Sequence, residues 1–224
     1  VTESHPEISV IVVKVDNELF VAGSAEKLND KSHPSFYELN RAELESIDLG
    51  RVQQAVERLA DSDATLLRSD ISSALIKLLK KPTVTFHDPI ARALIKWCDD
   101  PSPGADAGIK ILKSYILKKT SPPEHLVRLV ANHKNPEAIS TIVAIWEMNP
   151  VIWDKELVKY GSPIEPFMLE KLSSDEPSLR HAAIKMLATI GTKQSLPELR
   201  KILTESDPEV RLLAERAIEQ IESH

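Results

Sequence analysis

The sequence is poor in cysteine, glycine and aromatic residues. Its single cysteine, Cys98, excludes an internal disulfide and a thiolate metal site. Glycine occurs six times and aromatic residues make up 4% of the chain, whereas 42% of the residues are hydrophobic, mostly Leu, Ile, Val and Ala. Because Leu and Ala lose little side-chain freedom in a helix, this composition favours helix over sheet.

Long hydrophobic runs and an excess of basic charge are also missing. The longest apolar stretch, Ile8 to Val13, is interrupted by Ser9, and a membrane helix needs about 18 residues, so we expect no membrane insertion of this segment. The net charge of −6 comes from residues 1–50, which hold 4 basic and 10 acidic side chains and leave 24 of each for residues 51–224. Nucleic acid is therefore not the expected partner, because binding to it draws on clustered Lys and Arg.

Charge and residue pattern together divide the chain near residue 48. Residues 1–48 form an acidic N-terminal piece, in which two β-rich runs between Glu7 and Gly23 favour a β-hairpin, with an extended arm docked on the helices as the alternative. Residues 49–224 have a helical period instead, with prolines at the expected helix junctions. We therefore predict two parts, an N-terminal hairpin or arm with its loop over 1–48 and a helical body over 49–224.

A repeat of 31 residues is the clearest internal pattern. Pro177, Arg180 and Ala183 recur 31 residues later as Pro208, Arg211 and Ala214. Further along the same stretch, Leu187 and Ile190 recur as Ile218 and Ile221. A period of this length predicts stacked helical hairpins, each made of two antiparallel helices.

The repeated positions have predicted structural roles. Asp207 caps the second helix of its hairpin and Pro208 occupies the first helical position, where a missing N–H costs nothing. Asp175 and Pro177 form the corresponding start one repeat earlier, with one inserted residue. The small Ala183 and Ala214 allow helices to approach closely. Arg180 and Arg211 are expected to reach an acidic residue or a carbonyl in the adjacent repeat.

This pattern resembles the HEAT repeat, and most of all the short bacterial HEAT-like repeats of the phycobilisome-lyase type. The most specific match is Asp207-Pro208-x-Val210-Arg211 followed by Ala214, and the resemblance is clearest over residues 163–222. The resemblance implies an all-α fold, a right-handed α-α superhelix of about five helical hairpins, to which the small N-terminal β-hairpin or extended arm is added. It implies a fold and a binding style rather than an activity.

We expect a protein–protein interaction or scaffolding module with no cofactor and no catalysis of its own. The expected partner is another protein or another domain of a longer chain, since a segment that begins at Val1 fits a piece of such a chain. Two alternatives stay open. One is a nucleic-acid-binding or DNA-glycosylase-like HEAT protein that uses a lysine-bearing face, namely Lys110, Lys113, Lys118 and Lys119, and the other is a bilin-lyase-like chaperone. The lone cysteine slightly favours the cytoplasm and leaves localisation open.

Tryptophans and an aspartate near the middle of the chain need a separate interpretation. Some HEAT-like glycosylases hold a damaged base with Trp and Asp, and this chain has Trp146, Trp153 and Asp154 close together. Tryptophans at helical spacing are more often core anchors, and we predict that role here.

Overall fold

The computed structural model describes residues 11–15, 18–22, 28–64, 66, 68–205 and 207–223. The chain divides into two compact units, residues 1–107 and residues 108–224. We describe each unit by itself. The sequence boundary near residue 48 stays a prediction.

Two short strands precede the helices of the first unit. Strand β1 (Ile11–Val15) pairs antiparallel with β2 (Glu18–Ala22), with Val13 opposite Phe20 in the register. This is the β-hairpin that the sequence favoured over an extended arm. Residues 7–10, the turn at 16–17 and residue 23 of the predicted hairpin lie outside the described residues. Both strands are rich in Val, Ile, Leu and Phe, which suit a pleated backbone.

Four helices follow in the first unit, and a fifth begins there. They are α1 (Phe36–Glu43), α2 (Leu49–Ala60), α3 (Arg68–Leu79), α4 (His87–Trp97) and α5 (Ser102–Lys118), the last of which contains the division between the units. Helix α2 packs against α1 and α4, and α3 packs against α4. The fully buried Trp97 donates its indole N–H to the Leu59 carbonyl at 2.9 Å, which ties α4 to α2.

The second unit continues with helices arranged as consecutive hairpins. After α6 (Glu124–His133) come α7 (Ile139–Met148), α8 (Pro150–Leu157), α9 (Glu165–Lys171), α10 (Pro177–Ile190), α11 (Leu196–Ile202) and α12 (Pro208–Glu222). Helices α7 and α8, α9 and α10, and α11 and α12 pack in pairs. The second helices of these pairs are neighbours, since α10 contacts both α8 and α12. Each of them begins with a proline, which the sequence pattern predicted for Pro177 and Pro208.

The all-α class predicted from the sequence is confirmed. Within the described residues, strand is confined to the N-terminal hairpin. Those residues also contain no helix that is both long enough and apolar enough to cross a membrane.

Among the described residues of the second unit, three backbone positions have positive φ. Lys119 follows α5 with φ 52°, Lys134 follows α6 with φ 54°, and Gly161 has φ 65° between two single 3₁₀ turns. The two lysines take the left-handed conformation that ends many helices, a position that glycine usually fills.

A close helix contact explains one glycine of α5. A Cβ atom added to Gly108 would lie 2.7 Å from Cγ2 of Val130 on α6. A larger residue at this position would force the Val130 side chain or the helices to shift.

Candidate functional site

The aspartates of the repeat differ in what they do. Asp207 accepts hydrogen bonds from the backbone N–H groups of Glu209 at 2.9 Å and Val210 at 3.4 Å, which is the predicted cap of α12. Asp175 is exposed, and Glu176 occupies the N-cap position of α10 without a side-chain cap. The residue inserted before Pro177 moves the Asp175 carboxylate away from the cap position.

The repeated alanines lie inside the packed hairpins. Ala183 on α10 and Ala214 on α12 are both fully buried, and α10 and α12 pack directly on each other. Next to this contact, a Cβ atom added to Gly191 would lie 2.9 Å from the Ile221 side chain. These small residues set the close spacing of successive hairpins.

Both repeated arginines contact Glu205, which lies in the connection between α11 and α12. Arg180, on the preceding hairpin, forms an ion pair with the Glu205 carboxylate at 3.0 Å. Arg211 donates to the backbone carbonyl of the same Glu205 at 2.6 Å. Arg180 therefore reaches the adjacent repeat, while Arg211 reaches back within its own hairpin.

The buried carboxylates of the second unit are engaged with neighbouring side chains. Glu156 lies 3.5 Å from the Arg128 guanidinium, which ties α8 to α6. Glu165 accepts from the backbone N–H of Thr192 at 2.9 Å and from the hydroxyl of Ser195. These contacts link successive hairpins and supply the hydrogen-bond donors that a buried carboxylate needs.

The four candidate lysines do not form one patch. Lys110, Lys113 and Lys118 are exposed on α5, and Lys119 lies just beyond its end. Lys113 and Lys118 are five positions apart, which is about 140° around a helix axis. Ideal helix geometry therefore puts these two lysines on different sides of α5.

The aromatic residues near Asp154 belong to the core. Trp146 is fully buried and Trp153 is 4% exposed. The Trp146 indole N–H donates to the Asp154 carboxylate at 2.6 Å. A base could not stack on the buried Trp146 ring, and the two side chains form a structural contact between α7 and α8.

A groove of about 230 Å³ lies between α8 and α10. We call it the α8–α10 groove; it is lined by Asp154, Lys155, Val158, Lys185, Met186 and Thr189. Its apolar lining consists of Val158, which is half-buried, and Met186, which is only 4% exposed, and exposed lysines lie on both of its sides. Val151, one turn before Lys155 on α8, is 90% exposed.

The groove belongs to a face that the second helices form together. Val151, the second residue of α8, and Leu212, the fifth residue of α12, are both exposed apolar residues. We call the exposed side of α8, α10 and α12 the second-helix face. Sequence reasoning missed it, because the exposure of Val151 depends on how its neighbours pack.

A row of basic residues also crosses the second-helix face. Lys155, Lys185 and Arg216 are spaced by 30 and 31 residues, and all three are exposed. We call these three residues the basic row. The repeat spacing is the signal by which the sequence alone could have identified them.

The first unit has a cleft of about 440 Å³ between α1 and α3. Its lining includes acidic residues, Glu45 and Asp70, and basic residues, Arg41, Lys77 and Lys81. Arg41 and Glu45 already pair with each other at 3.4 Å. Neither this cleft nor the α8–α10 groove is lined by an aromatic side chain, which a bilin-binding groove would need. In the part of the chain that the structure describes, no three His, Cys, Asp or Glu residues are grouped so as to hold a metal ion.

The sequence match to known families lies in the C-terminal part of the chain. The family model for HEAT repeats matches residues 157–224. This confirms the resemblance predicted from the 31-residue pattern and covers the hairpins that carry most of the second-helix face. HEAT-like helical repeats are generally used for protein interaction or scaffolding. No curated protein matches the chain.

Three solved structures of engineered proteins from the Northeast Structural Genomics Consortium are similar to the chain. Two have TM-scores of 0.46, with 22% and 21% sequence identity, and the alignment covers 84% of this chain and 99% and 96% of theirs. A third has a TM-score of 0.45 and 22% identity, covering 84% of this chain and 58% of that one.

Proposed function

We propose that this chain is a protein-interaction module that binds a partner polypeptide on its second-helix face. The observation that carries the proposal is the exposed apolar surface around the α8–α10 groove. Val151 is 90% exposed and Ile152 is 55% exposed, beside a groove whose apolar part is Val158 and Met186. Exposed apolar groups next to a groove with a polar rim are typical of an interaction site.

The contacts of the polar groups support binding rather than catalysis. The buried carboxylates Glu156 and Glu165 are held by arginine, hydroxyl and backbone donors of neighbouring hairpins. Asp154, the carboxylate in the groove, accepts from Trp146. Because these groups serve packing, the free chemistry around the α8–α10 groove consists of apolar contacts and the exposed ammonium groups of Lys155 and Lys185.

Selection from a displayed library of random peptides tests the proposal. The immobilised chain should enrich a restricted set of sequences, and synthetic copies should bind the chain in solution by fluorescence anisotropy. Val151→Asp should weaken this binding by about tenfold, because it puts a charge into an apolar contact. An acidic residue in the first turn of α8 favours the helix dipole, so the variant should stay folded.

Leu117→Asp is the matched control for this experiment. Leu117 is 84% exposed but lies on α5, outside the second-helix face. Its variant should bind the enriched peptides like the wild type. If the library yields no enriched sequences, or if both variants bind equally well, the second-helix face is not the binding site.

A further inference from the structure

The charge and spacing of the second-helix face indicate which kind of polypeptide it binds; this inference rests on the proposed function. Lys155 and Lys185 line the same groove from opposite helices, and both side chains are exposed. Neither forms an ion pair with another described residue. The groove therefore presents two ammonium groups on either side of an apolar strip.

The spacing of the basic row follows from helix packing. Packed helices lie about 8–10 Å apart, so residues on the same exposed side of neighbouring helices recur at about that distance. A polypeptide in the polyproline II conformation has three residues per turn and rises 3.1 Å per residue, so every third side chain lies on one side, about 9 Å apart. A carboxylate at every third residue of such a segment matches one basic residue on each successive helix.

We infer that the second-helix face binds an extended acidic segment that carries a carboxylate at every third residue and an apolar side chain between them. The carboxylates lie opposite Lys155 and Lys185, and the apolar side chain contacts the half-buried Val158. Charge pairs of this kind, flanking an apolar contact, give specificity and fix the register of the bound chain.

The third member of the basic row is the weakest. Arg216 lies on α12 beside two exposed acidic residues, Glu215 and Glu219. Their charges reduce the positive potential around Arg216. We therefore expect Lys155 and Lys185 to contribute more to binding than Arg216 does.

Acidic side chains on this face favour a polypeptide over a nucleic acid. Asp154, Glu215 and Glu219 stand close to the basic row in sequence and would repel a continuous phosphate backbone. A peptide can instead place its carboxylates only where the lysines stand.

Three synthetic peptides test this inference. They have the same length and contain the same apolar residues. The first carries glutamate at every third position, the second has the same glutamates grouped together, and the third has lysine in place of each glutamate. Fluorescence anisotropy should show the first binding about tenfold more tightly than the third and more tightly than the second. The double variant Lys155→Glu, Lys185→Glu should lose this preference, while Arg216→Glu should have a smaller effect.

Lys110→Glu, Lys113→Glu is the matched control, since it makes the same charge change on α5. It should bind the first peptide like the wild type, and circular dichroism should show all variants folded. Equal binding of the first and third peptides overturns the inference, and so does equal weakening by the two double variants. Tighter binding of a 20-mer oligothymidylate, lost in the Lys155→Glu, Lys185→Glu variant, would assign the face to nucleic acid.

The test separates this inference from the proposed function. One outcome is that the library peptides lose binding to the Val151→Asp variant although they are not acidic and bind the Lys155→Glu, Lys185→Glu variant normally. In that case the inference is wrong and the proposed function stands. If nothing binds in a Val151-dependent way, both are wrong.

Discussion

Gly161 has a backbone conformation that other residues rarely adopt. Its φ is 65° and its ψ is −145°, between the 3₁₀ turns Val158–Tyr160 and Ser162–Ile164. A Cβ atom added there would meet no atom within 4 Å, so a substitution acts through the backbone alone. Gly161→Ala should lower the free energy of unfolding by about 1–3 kcal/mol, measured by urea denaturation.

Gly50 provides a matched control for Gly161. It lies in the first turn of α2, and an added Cβ atom would approach only the Asp48 carboxylate, at 3.2 Å. Gly50→Ala should leave stability unchanged or raise it by up to about 1 kcal/mol, because alanine favours a helix. Equal effects of the two substitutions would contradict the backbone explanation.

His87 should make the stability of the chain depend on pH. It is the first residue of α4, and burial lowers its pKa below the ordinary 6.5, outweighing a smaller opposite effect of the Val84 backbone. The unfolded state therefore binds more protons, and stability rises with pH. This contribution is present above about pH 6.5 and is lost as the pH falls toward the lower folded pKa.

His87→Gln tests this dependence directly. The urea midpoint of the wild type should fall more between pH 7 and pH 5.5 than the midpoint of the variant. Parallel curves for the two proteins would show that another group controls the effect.

Helix starts show how the same sequence motif can have different effects in two elements. Asp207 accepts two backbone hydrogen bonds at the start of α12, whereas the exposed Asp175 lies one position before the N-cap of α10. Asp207→Ala should lower the free energy of unfolding by about 1 kcal/mol. Asp175→Ala should change it by less than about 0.5 kcal/mol, as expected for an exposed residue. Urea denaturation of both variants checks the difference, and similar losses would contradict the cap assignment.

Helix starts were predictable from the sequence, but helix ends were less so. The prolines at 150, 177 and 208 each begin a helix, because the fixed φ of proline and its missing N–H suit that position. Lys119 and Lys134 end α5 and α6 in a left-handed conformation for which lysine has no preference. Neither helix end has the glycine that usually marks this conformation in a sequence.

Across the whole molecule, the charge balance predicts weak binding to nucleic acid. Residues 51–224 are neutral, and Lys110, Lys113, Lys118 and Lys119 do not share one side of α5. Few counterions would be released on contact, so affinity for labelled DNA or RNA should be low and should depend little on salt. Titration of duplex and single-stranded oligonucleotides at two salt concentrations measures this.

The control for this prediction is a variant with alanine in place of Lys110, Lys113, Lys118 and Lys119. Submicromolar binding that weakens at least about tenfold with salt, and that disappears in this variant, would contradict the prediction. It would favour the nucleic-acid alternative over the interaction module.

The sequence predicted the fold class better than the candidate site. Repeated residues such as Arg180 and Arg211 report on local packing between hairpins, so the HEAT-like part could be found from a 31-residue spacing. The α8–α10 groove depends on contacts between α8 and α10, and the exposure of Val151 emerges only after those helices pack. A local sequence pattern does not predict the close contact of Gly108 with Val130 either.

The left-handed lysines have a consequence for engineering this chain. Glycine adopts their conformation without strain, so Lys119→Gly and Lys134→Gly should each stabilise the protein. The greater freedom of glycine in the unfolded chain opposes this effect, and the net gain in the free energy of unfolding should be about 1 kcal/mol. For a protein of this size that corresponds to a rise of about 2–4 °C in melting temperature, readable by calorimetry. Thermal tolerance can thus be increased at two helix ends that lie outside the second-helix face, so that the proposed interaction surface is left unchanged.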